Sequence, residues 1–360
     1  MPNLSTKLAA AQVDHEIDLL RVAASANRRV QALLTALQND IAGRLSQSHL
    51  SAFATARLTA VLRDVRELIS STYGSIDDVM ANRIAELLPT EALIAANTIN
   101  NTVGMSLLDG VLPKATMSAL YKDTMIMSAP SSQWWLKQAQ TVTFKFVQSI
   151  RMGMAQGETN DQIIARVRGI DGLFAANAPA RRQAEALVRT SVQTVANAAR
   201  VAVYKENDDL IKGYQQISTL DELTSDICIA YDGASWDQDG NPINGTDLPF
   251  INEGGSFEGV PRHWNCRSTL IPIIKTWREL GIDIDEFNET QRASMDGAVS
   301  AKLTYDTWLL NKTAEQQDEL LGPGKADLFR QGRISTRDLL DQNGRPMTVK
   351  ELQDKHGVAP

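Results

Sequence analysis

The residues best suited to chemistry lie in the segment VPRHWNCRSTLIPI, residues 260–273. The chain has only four histidines and two cysteines, and this segment contains both His263 and Cys266. The other cysteine, Cys228, lies upstream. Thiolates and imidazole are the ligands that zinc prefers, so these three side chains, which we call the Cys/His corner, are candidate metal ligands.

Three ligands are one fewer than a structural zinc site needs. A carboxylate from Asp221, Asp226 or Asp232 could supply the fourth. An open fourth position that holds water would instead be typical of a metal-dependent hydrolase or nuclease. No glutamate adjoins His263 to act as a general base, so the sequence disfavours an enzyme.

Two other interpretations of the corner stay open. The two cysteines could form a disulfide after release from the cell, because the cytosol keeps thiols reduced. Alternatively, the thiols and His263 stay reduced and buried in a hydrogen-bond network. In that arrangement Asp221 pairs with Arg189 or Arg267, because a buried charge needs a hydrogen-bonded partner.

The composition is typical of a globular protein, with 43% apolar residues, 22% charged residues and a net charge of -7. A negative net charge argues against a surface that binds nucleic acid throughout, although it permits a local basic patch. The sequence contains neither an apolar run of about 18 residues nor a signal-peptide pattern. We therefore expect cytosolic synthesis and no membrane role.

Helical spacing dominates the first half of the chain. Apolar residues recur at steps of three to five over residues 5–70, which predicts a helical hairpin or bundle. Residues 75–112 predict two shorter helices, the second beginning at Pro89, with a break near Pro113. A capping box at Thr159 predicts another helix start. Five large side chains in the segment 131–155 are predicted core residues: Trp134, Trp135, Phe144, Phe146 and Ile150.

A long, one-sidedly buried helix is predicted from Pro179, because apolar residues recur at positions 184, 188, 192, 195, 199 and 203. Arg182, Arg189 and Arg200 are separated by steps of seven and eleven residues, so they fall on one face of this helix. These arginines could form salt bridges within a solvated surface, or they could contact phosphates or an acidic partner. The spacing does not decide between these alternatives.

After Asn207 the sequence predicts a small α+β module with strands at Tyr214–Ser218 and Arg267–Ile273. The Asp239-Gly240 pair predicts a hairpin. The predicted fold is therefore mainly α. A helical interaction region (1–130) and a helical region leading into the core (131–206) precede the α+β module (207–275), and a short-helix region (276–360) follows it.

Three segments resemble the phage head morphogenesis or minor head protein family of tailed bacteriophages, also called Mu F-like. They are LVRTSVQTVANAARVAVY (187–204), ISTLDELTSDICIAYDG (217–233) and PRHWNCRSTLIPI (261–273). The residues that we assign to the structural core of the motif are Arg189, Thr190, Asp221, Thr224, Cys228, Asp232, Gly233, His263, Cys266 and Arg267.

The resemblance implies a structural, non-enzymatic virion protein of low copy number, located in the head near the portal vertex. Implied partners are the portal protein, the major head shell and, in some members, packaged double-stranded DNA, bound weakly and without sequence specificity. Many relatives carry a cysteine three positions before the one at 228, where this chain has Ser225. This departure weakens the case for a closed zinc site, and zinc remains one alternative.

Overall fold

The computed structural model describes residues 4–47, 55–168, 175, 178–250, 259–275, 291–294, 297–300, 304–341 and 346–357. The fold is mainly α with a small antiparallel sheet, as the sequence predicted. Within the described chain, no helix combines the length and the apolar character that crossing a bilayer would require. The helices of the first part are α1 (Leu4–Ser46), α2 (Thr55–Val103), α3 (Lys114–Asp123), α4 (Ser131–Ala155), α5 (Asn160–Arg168) and α6 (Pro179–Lys205).

The two long helices α1 and α2 confirm the predicted helical hairpin or bundle segments, but α2 is longer than expected. It continues through Pro89 to Val103, so the prediction of a new helix at Pro89 is wrong. A proline inside a helix costs roughly 3 kcal/mol. Burial of the flanking Leu88 and Ala92 offsets that cost. The break predicted near Pro113 is confirmed, because α3 begins at Lys114.

Helix α4 buries one side only. Trp135, Phe146 and Ile150 are in the core, as predicted. Phe144 is 67% exposed, so its assignment to the core is wrong. Consecutive helical residues differ by about 100°, which places Phe144 and Phe146 on nearly opposite sides. After α4, the predicted capping box is present, because Thr159 and Gln162 exchange backbone and side-chain hydrogen bonds at the start of α5.

The α+β module begins where α6 ends. All six apolar positions of the predicted α6 stripe are buried. The prediction that α6 is buried on one side only is wrong, because Gln193 and Asn197 on its opposite side are buried as well. The sheet contains β1 (Ile211–Ile217), β2 (Ser235–Asp237), β3 (Pro242–Ile243) and β4 (Thr269–Ile274) in the order β3-β2-β1-β4, and all neighbours are antiparallel. The predicted β2–β3 hairpin is confirmed, with Gly240 at a φ of 83°. A short helix, α7 (Asp226–Ala230), lies between β1 and β2 in the chain.

The C-terminal part is mostly short helices, with one exception. Strands β5 (Gln291–Ser294) and β6 (Gly297–Ser300) form an antiparallel pair where only short helices were expected. The Asp-Gly dipeptide at 296–297 is the sequence signal that we missed. The helices are α8 (Tyr305–Leu310), α9 (Ala314–Leu321), α10 (Pro323–Arg330), the 3₁₀ helix Thr336–Leu339 and α11 (Val349–His356). Capping boxes begin three of these helices, with Thr313 before α9, Ser335 before the 3₁₀ helix and Thr348 before α11.

Residue contacts divide the chain into two compact units. The first unit comprises Met1–Leu19, Leu88–Leu120 and Gln193–Pro360, and it contains the sheet, the Cys/His corner and two apolar clusters. The second unit comprises Leu20–Leu87 and Tyr121–Val192. Each unit combines stretches that are distant in sequence. The linear domain boundaries at 130, 206 and 275 stay predictions.

Candidate functional site

The Cys/His corner forms where α7 meets the loop that leads into β4. Ser225 is the residue before α7, and Cys228 lies within that helix. His263 and Cys266 lie in the loop, in which Asn265 has a φ of 62°. The antiparallel pairing of β1 with β4 carries the end of this loop back beside the chain that precedes α7. The tertiary structure therefore brings together three residues that the sequence separates.

Four polar atoms meet at the corner. The Cys228 Sγ lies 3.5 Å from the Cys266 Sγ and 3.1 Å from the His263 Nε2. The Ser225 Oγ lies 2.7 Å from the same Nε2. The His263 Nδ1–H donates to the Trp264 carbonyl oxygen at 2.9 Å, and this assignment leaves the Nε2 lone pair facing the thiols.

The two thiols have opposite electrostatic character. The hydrogen bond from the Cys228 thiol lowers the pKa of Cys266, and contact with His263 lowers it further. The same sulfur-to-sulfur hydrogen bond, together with burial, raises the pKa of Cys228. Burial opposes the charged form of His263, but hydrogen bonding to Cys266 outweighs it and the pKa of the imidazole is raised. The corner therefore favours the ionised form of one thiol, because the hydrogen bond from the other thiol and the contact with the imidazole stabilise it.

This geometry suits three zinc ligands. Zinc–sulfur bonds of about 2.3 Å in a tetrahedron separate ligand atoms by roughly 3.3–3.8 Å. The separations of 3.5 Å and 3.1 Å are close to that range. A carbonyl acceptor on the far ring nitrogen is also the usual support for a metal-binding histidine. Within the described chain, the residues grouped as ligands are Cys228, His263 and Cys266, and their ligand atoms all lie within 4.8 Å of one another.

The aspartates considered as fourth ligands are bound elsewhere. Asp221 accepts two hydrogen bonds from Arg267, and Asp226 pairs with Lys325 at 2.5 Å. Asp232 accepts from the backbone N–H groups of Ser218 and Tyr305, both at 2.9 Å. The Ser225 hydroxyl, which contacts both Cys228 and the His263 Nε2, is placed to act as the fourth.

The other two interpretations of the corner are also distinguished by geometry. Both cysteines are free, and a sulfur separation of 3.5 Å is far longer than a disulfide bond of about 2.05 Å. The cysteines are 2% and 4% exposed, so a substrate has little access to either sulfur. Ser218 continues the buried network, because its hydroxyl donates to the Cys228 carbonyl oxygen and contacts the Ser268 hydroxyl. This arrangement favours a structural role.

Asp221 and Arg267 form a brace beside the corner. Of the two partners considered for Asp221, the structure gives Arg267, with both N–H···O distances at 2.6 Å. Arg189 instead pairs with Glu185 at 2.8 Å on the surface of α6. The Thr224 hydroxyl also contacts Asp221, at 3.0 Å. The bidentate pair links the segment before α7 to the loop before β4, and so holds the two halves of the corner together.

The remaining motif residues shape the backbone around the corner. Thr190 is fully buried on α6. Gly233 has a φ of 78°, which strongly favours glycine, and its N–H donates to the Gln216 carbonyl oxygen. The loop side is fixed by Arg262, which is buried with its guanidinium 3.6 Å from the centroid of the Tyr231 ring. Burial lowers the pKa of Arg262 to about 10.

Replacing Asp221 with asparagine should destabilise the protein by about 1–3 kcal/mol, because a charge-assisted bidentate pair is lost. The pKa of Asp221 is lowered in the folded protein: Arg267 outweighs the effect of burial. The pair therefore contributes stability above the unfolded pKa near 3.8, and this contribution disappears as the pH falls through the folded value. Urea unfolding at pH 7 and pH 3 measures both effects. Glu222→Gln, an exposed neighbour, is the matched control, and equal losses for the two variants would contradict the brace.

The three arginines of the predicted α6 stripe have different surroundings. Arg182 and Arg189 are exposed. Arg200 is 2% exposed and forms ion pairs with Glu91 at 3.2 Å and Glu16 at 3.6 Å. It therefore cannot contact phosphate from the surface, and the stripe is corrected to two exposed residues. Helical spacing placed the three on one face, but it could not show that other elements cover that face at Arg200.

Arg200 belongs to a buried charge network that the sequence analysis missed. His15 contacts Glu91 at 2.8 Å, and Arg200 also donates to the Thr269 hydroxyl on β4. The network therefore joins α1, α2, α6 and the sheet within the first unit. A signal was present in the sequence, because Glu91 falls on the apolar stripe of α2, between Leu88 and Ala95. A charge on a buried stripe indicates a buried partner.

One region of the chain, which contains the Cys/His corner, is similar to a known protein family. Residues 145–271 match the family described as Phage Mu protein F like protein. This match confirms the resemblance predicted from the three segments, and it covers about a third of the 360-residue chain. No curated protein and no solved structure is significantly similar to the chain. The matched region includes α6, the sheet through β4 and the Cys/His corner.

Proposed function

We propose that this protein is a structural minor head protein of a tailed bacteriophage, bound to the portal protein and the head shell near the portal vertex. The observation that carries the proposal is the match of residues 145–271 to the Phage Mu protein F like family. A phage head morphogenesis role follows from that family, and the portal as the direct partner is our more specific inference.

The structure of the matched region supports a role in assembly. Its sheet packs on a cluster of large buried side chains, with Tyr214 stacked on Phe250 at 5.8 Å and Trp236 tilted against Phe250 at 5.2 Å. The corner adds a buried hydrogen-bond network, and the Asp221–Arg267 pair braces it. Such a module suits a rigid attachment point, because it presents fixed surfaces without the ordering cost of a flexible segment.

Co-expression with the portal protein of the same phage tests the proposal. We expect the two proteins to co-purify and to co-sediment with portal oligomers in a low, fixed ratio. Co-expression with an unrelated phage portal is the control, and it should give no complex. If the cognate proteins never associate under assembly conditions, the portal-bound function is wrong.

Contact with packaged DNA stays a prediction. Of the three arginines considered for it, two are exposed, and Arg189 is already paired with Glu185. A stripe of so few charges should bind DNA weakly and without sequence specificity, and added salt should weaken the binding because counterions are released when the DNA is bound. The metal-dependent hydrolase or nuclease alternative depends on a bound ion, and measuring the metal content of the protein purified without a histidine tag tests it.

A further inference from the structure

Helix α4 also carries large apolar side chains that lie outside its buried side. Leu136 is 57% exposed, Phe144 67% and Met152 44%, although all three are large apolar side chains. Together with Arg66 and Ser70 of α2, these residues line a groove of about 830 Å³. We call this surface the α4 groove, and it lies entirely within the second unit. Clustered exposed apolar residues, unlike single ones, mark interaction surfaces.

The shape of the groove fits a helix. Its lining residues on α4 extend from Leu136 to Met152, which spans roughly 24 Å at 1.5 Å per residue. Gln140, Thr143 and Val147 also line the groove, so its lining on α4 recurs at steps of three and four residues. An amphipathic helix lying in such a groove would place its own residues i, i+3, i+4 and i+7 against this lining.

The positive charges around the groove indicate which kind of helix would bind there. Its charged lining residues are Arg66 and Arg151, and both are exposed. Among the residues that the structure describes, neither guanidinium has an ion-pair partner. The charged residues of α4 itself are Lys137, Lys145 and Arg151, with no acidic residue among them. An apolar floor with a cationic rim is complementary to a helix with acidic flanks.

We propose that the α4 groove is a docking site for an amphipathic helix of a partner protein, with an apolar stripe flanked by aspartate or glutamate. Phe144 and Leu136 provide the apolar contacts, and Arg66 and Arg151 pair with the acidic flanks. The groove has too few cations for a nucleic-acid backbone and too many large apolar side chains, so a protein helix is the favoured occupant. This proposal goes beyond the proposed function, because it defines the partner by the apolar and acidic residues of its helix and not as a component of a phage head.

Binding of two synthetic 18-residue helical peptides to the full chain tests this site. Both peptides carry the same leucine stripe, and their flanking positions are glutamate in one and lysine in the other. Fluorescence anisotropy at low salt should show at least about tenfold tighter binding of the glutamate peptide, and the difference should shrink at high salt as charges are screened. Phe144→Ser should weaken its binding at least about tenfold, because a central aromatic contact is lost.

Two variants test whether the peptide binds in the groove or binds non-specifically to exposed apolar side chains. Leu223→Ser, which removes another exposed apolar side chain, should leave peptide binding unchanged, since Leu223 is 75% exposed and lies in the first unit. The double charge reversal Arg66→Glu with Arg151→Glu should make the lysine peptide the better ligand. Circular dichroism of each variant checks that the helices are retained.

Several results would overturn the proposal. Equal affinity for the two peptides would show that binding does not require acidic flanks. Unchanged peptide binding by Phe144→Ser would show that the peptide does not bind in the groove. A protein dimer that Phe144→Ser dissociates would show that a second copy occupies the groove. Binding of a DNA duplex that the same variant abolishes would show that the groove is a nucleic-acid surface. None of these results depends on whether the protein binds a portal.

Discussion

Replacing Arg200 with methionine should destabilise the protein by about 3–5 kcal/mol, because the change leaves the buried Glu91 and the partly exposed Glu16 without their cation. Arg200 and Glu91 have side chains that are 3% and 1% exposed, so water cannot replace the lost charge. Methionine keeps much of the side-chain volume, which limits the contribution of an empty cavity. Urea unfolding of the full chain, followed by tryptophan fluorescence at pH 7, measures the loss.

The matched control is Arg189→Met on the same helix. The Arg189–Glu185 pair is exposed, with side-chain exposures of 53% and 39%, so its loss should cost less than about 1 kcal/mol. The two substitutions have the same chemistry and the same helical context, and they differ in burial. If both variants lose the same stability, the buried network does not hold α1, α2 and α6 together.

The pH dependence of the Arg200 variant gives a second test. Burial raises the pKa of Glu91, but its hydrogen bond to His15 and the charge of Arg200 outweigh burial and lower it. Burial dominates at Glu16, whose pKa is raised. Without Arg200 both pKa values should rise. Protonation should then relieve the unpaired charges, so the stability difference between variant and wild type is largest at neutral pH and narrows as the pH falls towards 4.5.

Replacing Ser225 with cysteine should create a four-ligand zinc site. The Ser225 Oγ already lies 2.7 Å from the His263 Nε2, on the side where both thiols meet. A thiolate in that position would complete the set of three cysteines and one histidine that structural zinc sites use. We expect about one zinc per chain and, with excess zinc, an increase of several degrees in the melting temperature, because the ion binds the folded state.

Two further proteins make this result interpretable. The double variant Ser225→Cys with Cys228→Ser has the same number of thiols as the wild type, and it should lose the added affinity. The wild type itself should bind zinc much more weakly, because Ser225 supplies a hydroxyl instead of a thiolate. Competition with a chromophoric chelator gives all three affinities. Equal affinity in the wild type and Ser225→Cys would mean that Ser225 is not positioned as the fourth ligand.

Local sequence patterns predicted helices and turns well where the deciding contacts lie between residues that are close in sequence. The α6 stripe, the capping box at Thr159 and the hairpin at Gly240 depend on residues within a few positions of one another. The errors arose where distant contacts decide. Burial on both sides of Pro89 maintains α2 through a residue that ordinarily ends a helix. Phe144 is exposed because one side of α4 is covered and the other is not.

The candidate site shows the same division. Residue scarcity identified Cys228, His263 and Cys266 as belonging together, because side-chain chemistry is a property of sequence. Only the tertiary structure gives the distances between these side chains and the hydrogen bond that orients His263. It also shows that Asp221 pairs with Arg267 and not with Arg189. Many partners have the right charge, and only the path of the chain selects one.

The sequence by itself determined which residues can form helices, where α5 and α6 begin, and that the segment 187–273 resembles a phage head morphogenesis family. These properties depend on periodicity, caps and motifs, which act over short distances. Only the tertiary structure decided which charges are buried and which apolar side chains are left outside. Arg200 and Phe144 both contradict their sequence-based assignments, because burial depends on what other parts of the chain cover each face.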